Sequence, residues 1–289
     1  MVDIRAEKVY SSLDKEFELD KFQDDEWSLL DLGEYMTESF RETRMGLALN
    51  NTEEVRKVYT AVFPSNRVLD YILAAEERNI LLFTHPPMNW FPDKGGVPFR
   101  NIPREYLRRL NEREISYYAI HVPLDKIGPY GTTSSLARIL DIETEREFFE
   151  YYGVLVGIIG KTKQKSLFDI AAQVEGIVDH RVRIWEYGPS EILDQRVAVV
   201  AGGGNDPDVA KEIVDADVNT YITGITQKNS NWKPSLKFHK ICEQNGINIV
   251  GATHCSTEKF ACIAAQKFFE KLGLPTEFVE DEPNFLDYE

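Results

Sequence analysis

The sequence predicts an α/β protein built from two similar α/β halves related by internal duplication, each with a mixed sheet flanked by helices. Three observations lead there. From Trp27 onward, apolar β-branched runs alternate with helix-forming stretches, the pattern of helices layered on sheets. A strand, turn, helix and strand block occurs twice, over Lys57 to Thr84 and over Arg196 to Thr223, with a separation of 27 between first and last residue in each. In both halves a further helix and strand follow. That strand ends in a histidine with a carboxylate four residues on: His121 to Asp125, then His254 to Glu258. Identity between the blocks is slight: Val58 with Val197, Asn66 with Asn205 and Thr84 with Thr223. Equal spacings also arise by chance, because element lengths are narrowly distributed.

Each element has its own local reason. Residues 28–40 read as a helix. Lys57 to Phe63 is β-branched and aromatic, hence a strand. Ser65 can cap a helix running to about Arg78. Ile80 to Thr84 (ILLFT) is the short apolar run of a buried strand. Pro103 opens a helix to about Glu114. Ser116 to Val122 reads as a strand and Ser134 to Leu140 as the start of a helix. In the second half, 153–159 and Arg196 to Ala201 read as strands, with a helix over 165–174 between them. After Gly202 to Gly204, Asp206 and Pro207 make a cap and first turn. Val218 to Thr223 is a strand, 234–245 a helix closed by Gly246, Ile247 to Ala252 a strand, and about Thr257 to Leu272 a long helix. The expected organisation is a charged extension over 1–26, a first half over 27–145 and a second over 146–289. The C-terminal helix is left free to pack on the first half.

Composition narrows the function classes. Of 289 residues, 33 are Lys or Arg and 48 are Asp or Glu, a net charge of −15. A field of that sign repels phosphate backbones and anionic lipid, which argues against nucleic-acid and membrane partners. No apolar run approaches the roughly 20 residues of a membrane span. The first 26 residues hold nine acidic and four basic side chains, read here as a surface extension and as too acidic for a targeting peptide. Three cysteines without metal-finger spacing fit a reducing compartment, so the expected location is cytoplasmic.

In open α/β sheets ligands gather beyond the carboxyl ends of the strands. His85, Asp125, His254 and Glu258 fall at such ends. Imidazole nitrogen with carboxylate oxygen suits borderline divalent ions such as zinc, iron or manganese. The same residues also read as caps or hydrogen-bonded strand ends. Glu258 in particular would favour a helix N-terminus. Gly202 to Gly204 read either as amides facing an anion or as a tight strand-to-helix turn; the Lys-Ser/Thr of a phosphate loop is missing. Trp90 and Phe91 read as core or as a pocket wall. No Gly-x-Ser-x-Gly elbow is present.

The order of these segments resembles the Nif-three-like family, also labelled GTP cyclohydrolase 1 type 2. The resemblance rests on Met45 to Leu49, Thr84-His85-Pro86-Pro87-Met88, His121 to Asp125 with Leu136-Ala137, Val197 to Gly204, Ala216 to Gly224, and Thr253-His254 with Glu258. It covers about residues 28 to 275. It implies a two-metal centre between the two halves, often within a toroidal hexamer, and thus a homo-oligomer. Carried onto this chain, the ligands are His85, Asp125, His254 and Glu258. Thr84 stands where the family has its first histidine, and Ile225 where many members have glutamate. One ion is therefore expected to bind firmly, with the second site weak or empty. His121 is the candidate catalytic group, as a proton shuttle or a partner to a ligand; a strand-end histidine held by a backbone hydrogen bond is the other reading. The implied activity is metal-dependent hydrolysis of a nucleotide or related small molecule. The alternative is a non-enzymatic metal-binding or regulatory protein acting through protein partners.

Overall fold

Residues 4–22, 24–92 and 98–289 are described by the structure, a computed structural model. Residues 1–3 and 23 of the expected extension lie outside that set. The chain forms two units. One holds residues up to 91, then 98–124 and 262–281; the other holds 125–261 and 282–289.

The first unit begins with β1 (Ile4–Arg5) and α1 (Ala6–Glu16), followed by α2 (Glu38–Thr43), β2 (Gly46–Leu49), β3 (Glu54–Val55) and β4 (Lys57–Ala61). Then come α3 (Asn66–Ala74), β5 (Ile80–Thr84), the short ladder β6 (Asn89–Trp90) with β7 (Phe99–Arg100), α4 (Arg104–Glu112), β8 (Ile115–Ala119) and the single turn α5 (Val122–Asp125). The second unit runs through α6 (Thr132–Ile139), β9 (Glu143–Tyr151), β10 (Val154–Lys161), α7 (Leu167–Val178), β11 (Arg183–Trp185) and β12 (Arg196–Val200). It continues with α8 (Pro207–Asp215), β13 (Thr220–Thr223), α9 (Lys233–Asn245) and β14 (Asn248–Gly251). Finally α10 (His254–Lys271) and β15 (Thr276–Phe278) close the chain; both β15 and α10 from Cys262 onward belong to the first unit.

The first sheet has the order β15-β4-β5-β8-β2, parallel throughout except for β2. Both of its faces are covered, which is why ILLFT is apolar at every position but its last. Leu82 joins Leu69, Ile72, Leu107 and Leu110 on one face. Phe83 points to the other, where its ring meets Phe17, Tyr118 and Phe269.

The second sheet has the order β11-β14-β13-β12-β10-β9, with β12, β13 and β14 parallel and the rest antiparallel. The period of two along β12 sorts its side chains. Val197 and Val199 pack with α6 and α7. Ala198 and Val200 pack with Val209 and Ile213 of α8 and Phe238 of α9. Asp206 caps α8 by accepting from Asp208 N, with Pro207 in the first turn as expected. Within each unit, strand, helix, strand, helix and strand follow one another and their strands are parallel neighbours.

Several expectations are corrected. The N-terminal segment is not a solvated extension: α1 buries Ala6, Val9, Tyr10 and Leu13, and its Asp14 accepts from Tyr118 OH at 2.7 Å. Residues 28–40 are not one helix. Gly33 takes a φ of +60°, a 3-10 turn covers Gly33–Tyr35, and Thr37 caps α2 by accepting from Phe40 N. The strand before His121 ends at Ala119. Strand β9 was not anticipated. Its first five residues are exposed and only Phe148 is buried, so it lacks the apolar run of an inner strand. No helix among the described residues is long and apolar enough to cross a membrane.

His239 carries an acid-stability prediction for the second unit. It is buried, its Nε2–H donates to Thr226 O at 2.8 Å, and its Nδ1 accepts from Tyr187 OH at 3.0 Å. Burial pushes its pKa from 6.5 down to about 4. The unfolded chain therefore takes up this proton first as pH falls. The contribution is intact above pH ~6.5 and is lost down to pH ~4, at a cost of about 3 kcal/mol. Urea midpoints at pH 7 and 4.5 should separate more for the parent than for His239→Gln. Equal separations would remove His239 from the acid response.

Candidate metal centre

In the first unit His85 follows the last residue of β5 and is buried. Its backbone N–H donates to Val62 O and its Nδ1 faces Ile120 O at 3.1 Å. A carbonyl can only accept, so Nδ1 carries the proton and Nε2 keeps the lone pair a metal needs. Thr84, the residue before it, is fully buried, and its hydroxyl bonds Pro86 O at 2.9 Å and Tyr117 OH at 2.7 Å.

The ring of His121 lies beside that of His85, with centroids 5.4 Å apart. Its Nδ1 is 2.7 Å from Asp24 Oδ2. Asp24 has no solvent exposure, and its carboxylate also accepts from Trp27 Nε1 at 2.8 Å and Glu26 N at 3.3 Å. Burial alone would raise the Asp24 pKa; the bond to His121 and its charge, with the Trp27 and Glu26 donors, outweigh it and hold the carboxyl below its usual value. Trp27 stands edge-on to His121 at 4.9 Å and to Phe99 at 4.7 Å, and Trp90 packs on Phe99. Trp90 is thus part of an aromatic row behind His121, while Phe91 is half exposed.

In the second unit Asp125 is buried and its Oδ1 accepts from Thr132 Oγ1 at 3.1 Å. His254 and Glu258 sit one turn apart on α10, on the same helix face. His254 Nε2 and Glu258 Oε1 are 3.1 Å apart. That is close to the ~3 Å edge between two neighbouring ligands of one ion with ~2.1 Å bonds. The start of this helix is fixed from two sides. Asp287, buried near the C-terminus, accepts the His254 N–H at 2.7 Å, and its carbonyl accepts from Thr226 and Gln227 N. Gly202 N donates to Thr257 Oγ1 at 2.9 Å.

Gly202 is the glycine the site depends on. Its φ is +70°, and a Cβ there would stand 2.0 Å from Glu258 Oε1 and 3.2 Å from His254 Cδ2. The Gly202 to Gly204 run is thus a turn cut to admit these two side chains, with the Gly202 amide spent on Thr257. The sequence pointed to His85, Asp125, His254 and Glu258 as candidate ligands; it gave no sign of Asp24, of Asp287 or of the reason for Gly202. Among the described residues of the second unit, Asp125 and Glu258 each offer a ligand atom, and these lie within 4.8 Å of one another. A second group consists of Asp24, Glu26 and His121. In the second unit, His254 with the two buried carboxylates Asp125 and Glu258 is a donor set that fits a borderline divalent ion.

A family profile described as Duf34/NIF3 (NGG1p interacting factor 3) matches residues 36–284. The chain belongs to the Duf34/NIF3 family. Among its relatives, a "GTP cyclohydrolase 1 type 2 homolog" of Pyrococcus horikoshii is 30% identical over 246 residues, covering 83% of this chain and 90% of that protein. One of the same name from Archaeoglobus fulgidus is 28% identical over 242 residues, covering 83% and 89%. Solved structures share the fold. Protein ybgI, of unknown function, superposes with a TM-score of 0.74 at 20% identity over 97% of this chain and 99% of its own. Reduced HcgD from Methanocaldococcus jannaschii gives 0.65 at 20% identity over 97% and 100%. In this Duf34/NIF3 protein, Asp24, the partner of His121, lies before the matched stretch, and Asp287, the partner of the His254 N–H, lies after it.

Proposed function

We propose that this protein is a divalent-metal-dependent hydrolase acting on a nucleotide or a related small molecule. In this reading His85, through Nε2, with Asp125, His254 and Glu258 hold one ion. The observation that carries it lies in the second unit, where buried Asp125 and Glu258 offer ligand atoms within 4.8 Å of one another and His254 Nε2 is 3.1 Å from Glu258 Oε1. When bound, such an ion polarises an electrophile and lowers the pKa of water to around 7. The chain supplies the rest. His254 would offer Nε2 to the ion with its one ring proton carried on Nδ1. Asp125 is held in place by Thr132. His121 Nε2 takes up the proton released during hydrolysis. The substrate class rests on the name carried by the relatives from P. horikoshii and A. fulgidus. A cytoplasmic setting is supported by Cys242, Cys255 and Cys262, all buried and none in a disulfide.

Thr84 bears on the stoichiometry. Its hydroxyl is engaged by Tyr117 and Pro86, so this position offers no nitrogen to a second ion. One equivalent of metal per chain is expected after exhaustive dialysis, by elemental analysis. Two equivalents would show that another group has taken the place of the missing histidine. The same observation favours the second reading, a metal-binding or regulatory protein without turnover, because a two-ion reaction would be slow here. A panel of nucleotides assayed for ring opening or hydrolysis separates the two. Turnover that is lost in His254→Ala supports the enzyme; tight metal binding with no turnover supports the alternative.

A further inference from the structure

A buried carboxylate costs several kcal/mol of lost hydration, and an apolar side chain of similar size is often the more stable choice. Asp24 nevertheless has no solvent exposure. It is held by three donors: His121 Nδ1, Trp27 Nε1 and Glu26 N. Two of the three only satisfy the carboxylate. The third lies on an imidazole whose ring stands against His85, itself a proposed ligand. A carboxylate that accepts from Nδ1–H fixes which nitrogen of the ring carries the proton, and it fixes the angle of the ring. Trp27 reinforces this: its indole N–H binds the same Asp24 oxygen while its ring stands edge-on to His121 at 4.9 Å. Residues 24 and 27 precede the stretch that matches the family profile, so this pairing is a feature of the chain's own N-terminal segment.

We propose that Asp24 is a positioning residue for His121, holding the Nδ1–H tautomer so that Nε2 is the nitrogen offered for proton transfer. The proposal rests on the hydrolase reading for its catalytic consequence, but not for its structural one. Glu26 lies 3.9 Å from His121 Nδ1 and is partly exposed, so it adds negative charge beside the pair without sharing the bond.

The test uses the full-length protein. Nitrogen NMR of the imidazoles in metal-free protein, at alkaline pH where an imidazole is neutral, should show His121 protonated on Nδ1. In Asp24→Asn the acceptor facing Nδ1 is a neutral amide oxygen in place of a carboxylate, so the fraction of His121 protonated on Nδ1 should fall. Zinc affinity of Asp24→Asn should stay within about 3-fold of the parent, and kcat on any nucleotide that is turned over should fall by about 10²–10⁴-fold. His121 found protonated on Nε2 in the parent protein overturns the proposal, and that measurement does not require the variant to fold. An unchanged tautomer in a folded Asp24→Asn also overturns it. A tenfold or greater loss of zinc affinity overturns it too, by making Asp24, Glu26 and His121 a metal site. Absence of turnover in the parent would defeat the hydrolase reading and leave the tautomer result standing by itself.

Discussion

Zinc should raise the melting temperature of the parent protein and leave that of Glu258→Gln unchanged. Glu258 is almost fully buried, with Oε1 at 3.1 Å from His254 Nε2. Glutamine keeps the shape and removes the charge, so the fold has no cavity to absorb, while the ion loses an anionic oxygen in a setting that screens little. Zinc affinity is expected to fall at least ~100-fold, which removes at least about 2.3 of the roughly 2.7 kcal/mol of stabilisation given by a zinc concentration 100 times the parent Kd. The metal-free variant should be at least as stable as the parent, since a buried carboxylate has been neutralised. His254→Ala should lose the zinc response as well, but with a lower metal-free stability from the lost packing. Retention of the full zinc shift in Glu258→Gln would remove this carboxylate from the ligand set. The readout needs no substrate, so it tests the site independently of the reaction.

How much of this was readable in advance depended on where each signal is stored. Inner strands announce themselves because both faces are buried: Ile80 to Thr84 and Arg196 to Val200 could hardly be anything else. Strand β9 stayed hidden because it is a sheet edge whose first five residues are exposed. Helix α1 is legible in the sequence: Ala6, Val9, Tyr10 and Leu13 follow the i, i+3, i+4, i+7 stripe of a helix with one buried face, set among charged residues that mask it in a composition count. In the site, His254 and Glu258 were accessible because four residues is one helical turn. His85 was accessible because it follows a buried strand. Asp24 and Asp287 were not. Their partners lie 97 and 33 positions away, so nothing in the local sequence sets them apart from the many solvated acidic residues of this chain.

Gly202 offers the second large effect, and its neighbour supplies the control. At φ +70° an alanine is strained by about 1–2 kcal/mol. Its Cβ would also fall 2.0 Å from Glu258 Oε1 and 2.9 Å from Glu258 Cδ, distances no pair of unbonded atoms sustains. Glu258 is the group that has to move, because Gly202 is pinned by Thr257 Oγ1 on its N–H and by Gly224 and Ile225 N on its carbonyl. Overpacking of that kind costs a further ~1–3 kcal/mol. Gly202→Ala should therefore lower the unfolding free energy by about 2–5 kcal/mol and, by displacing Glu258 from His254, abolish the zinc-induced shift. Gly203→Ala should do neither. There the nearest atom to a new Cβ is Ile225 Cδ1 at 3.7 Å, an ordinary contact, and Gly203 is not among the residues of positive φ. Urea unfolding of the two variants, each with and without zinc, reads both effects. Comparable losses in the two would mean that the turn as a whole is intolerant of side chains, and that Gly202 has no special relation to the metal-binding carboxylate. A Gly202→Ala protein that is destabilised yet binds zinc as tightly as the parent would mean that Glu258 can reach the ion from another rotamer. The 3.1 Å pairing with His254 would then not be the arrangement that binds metal.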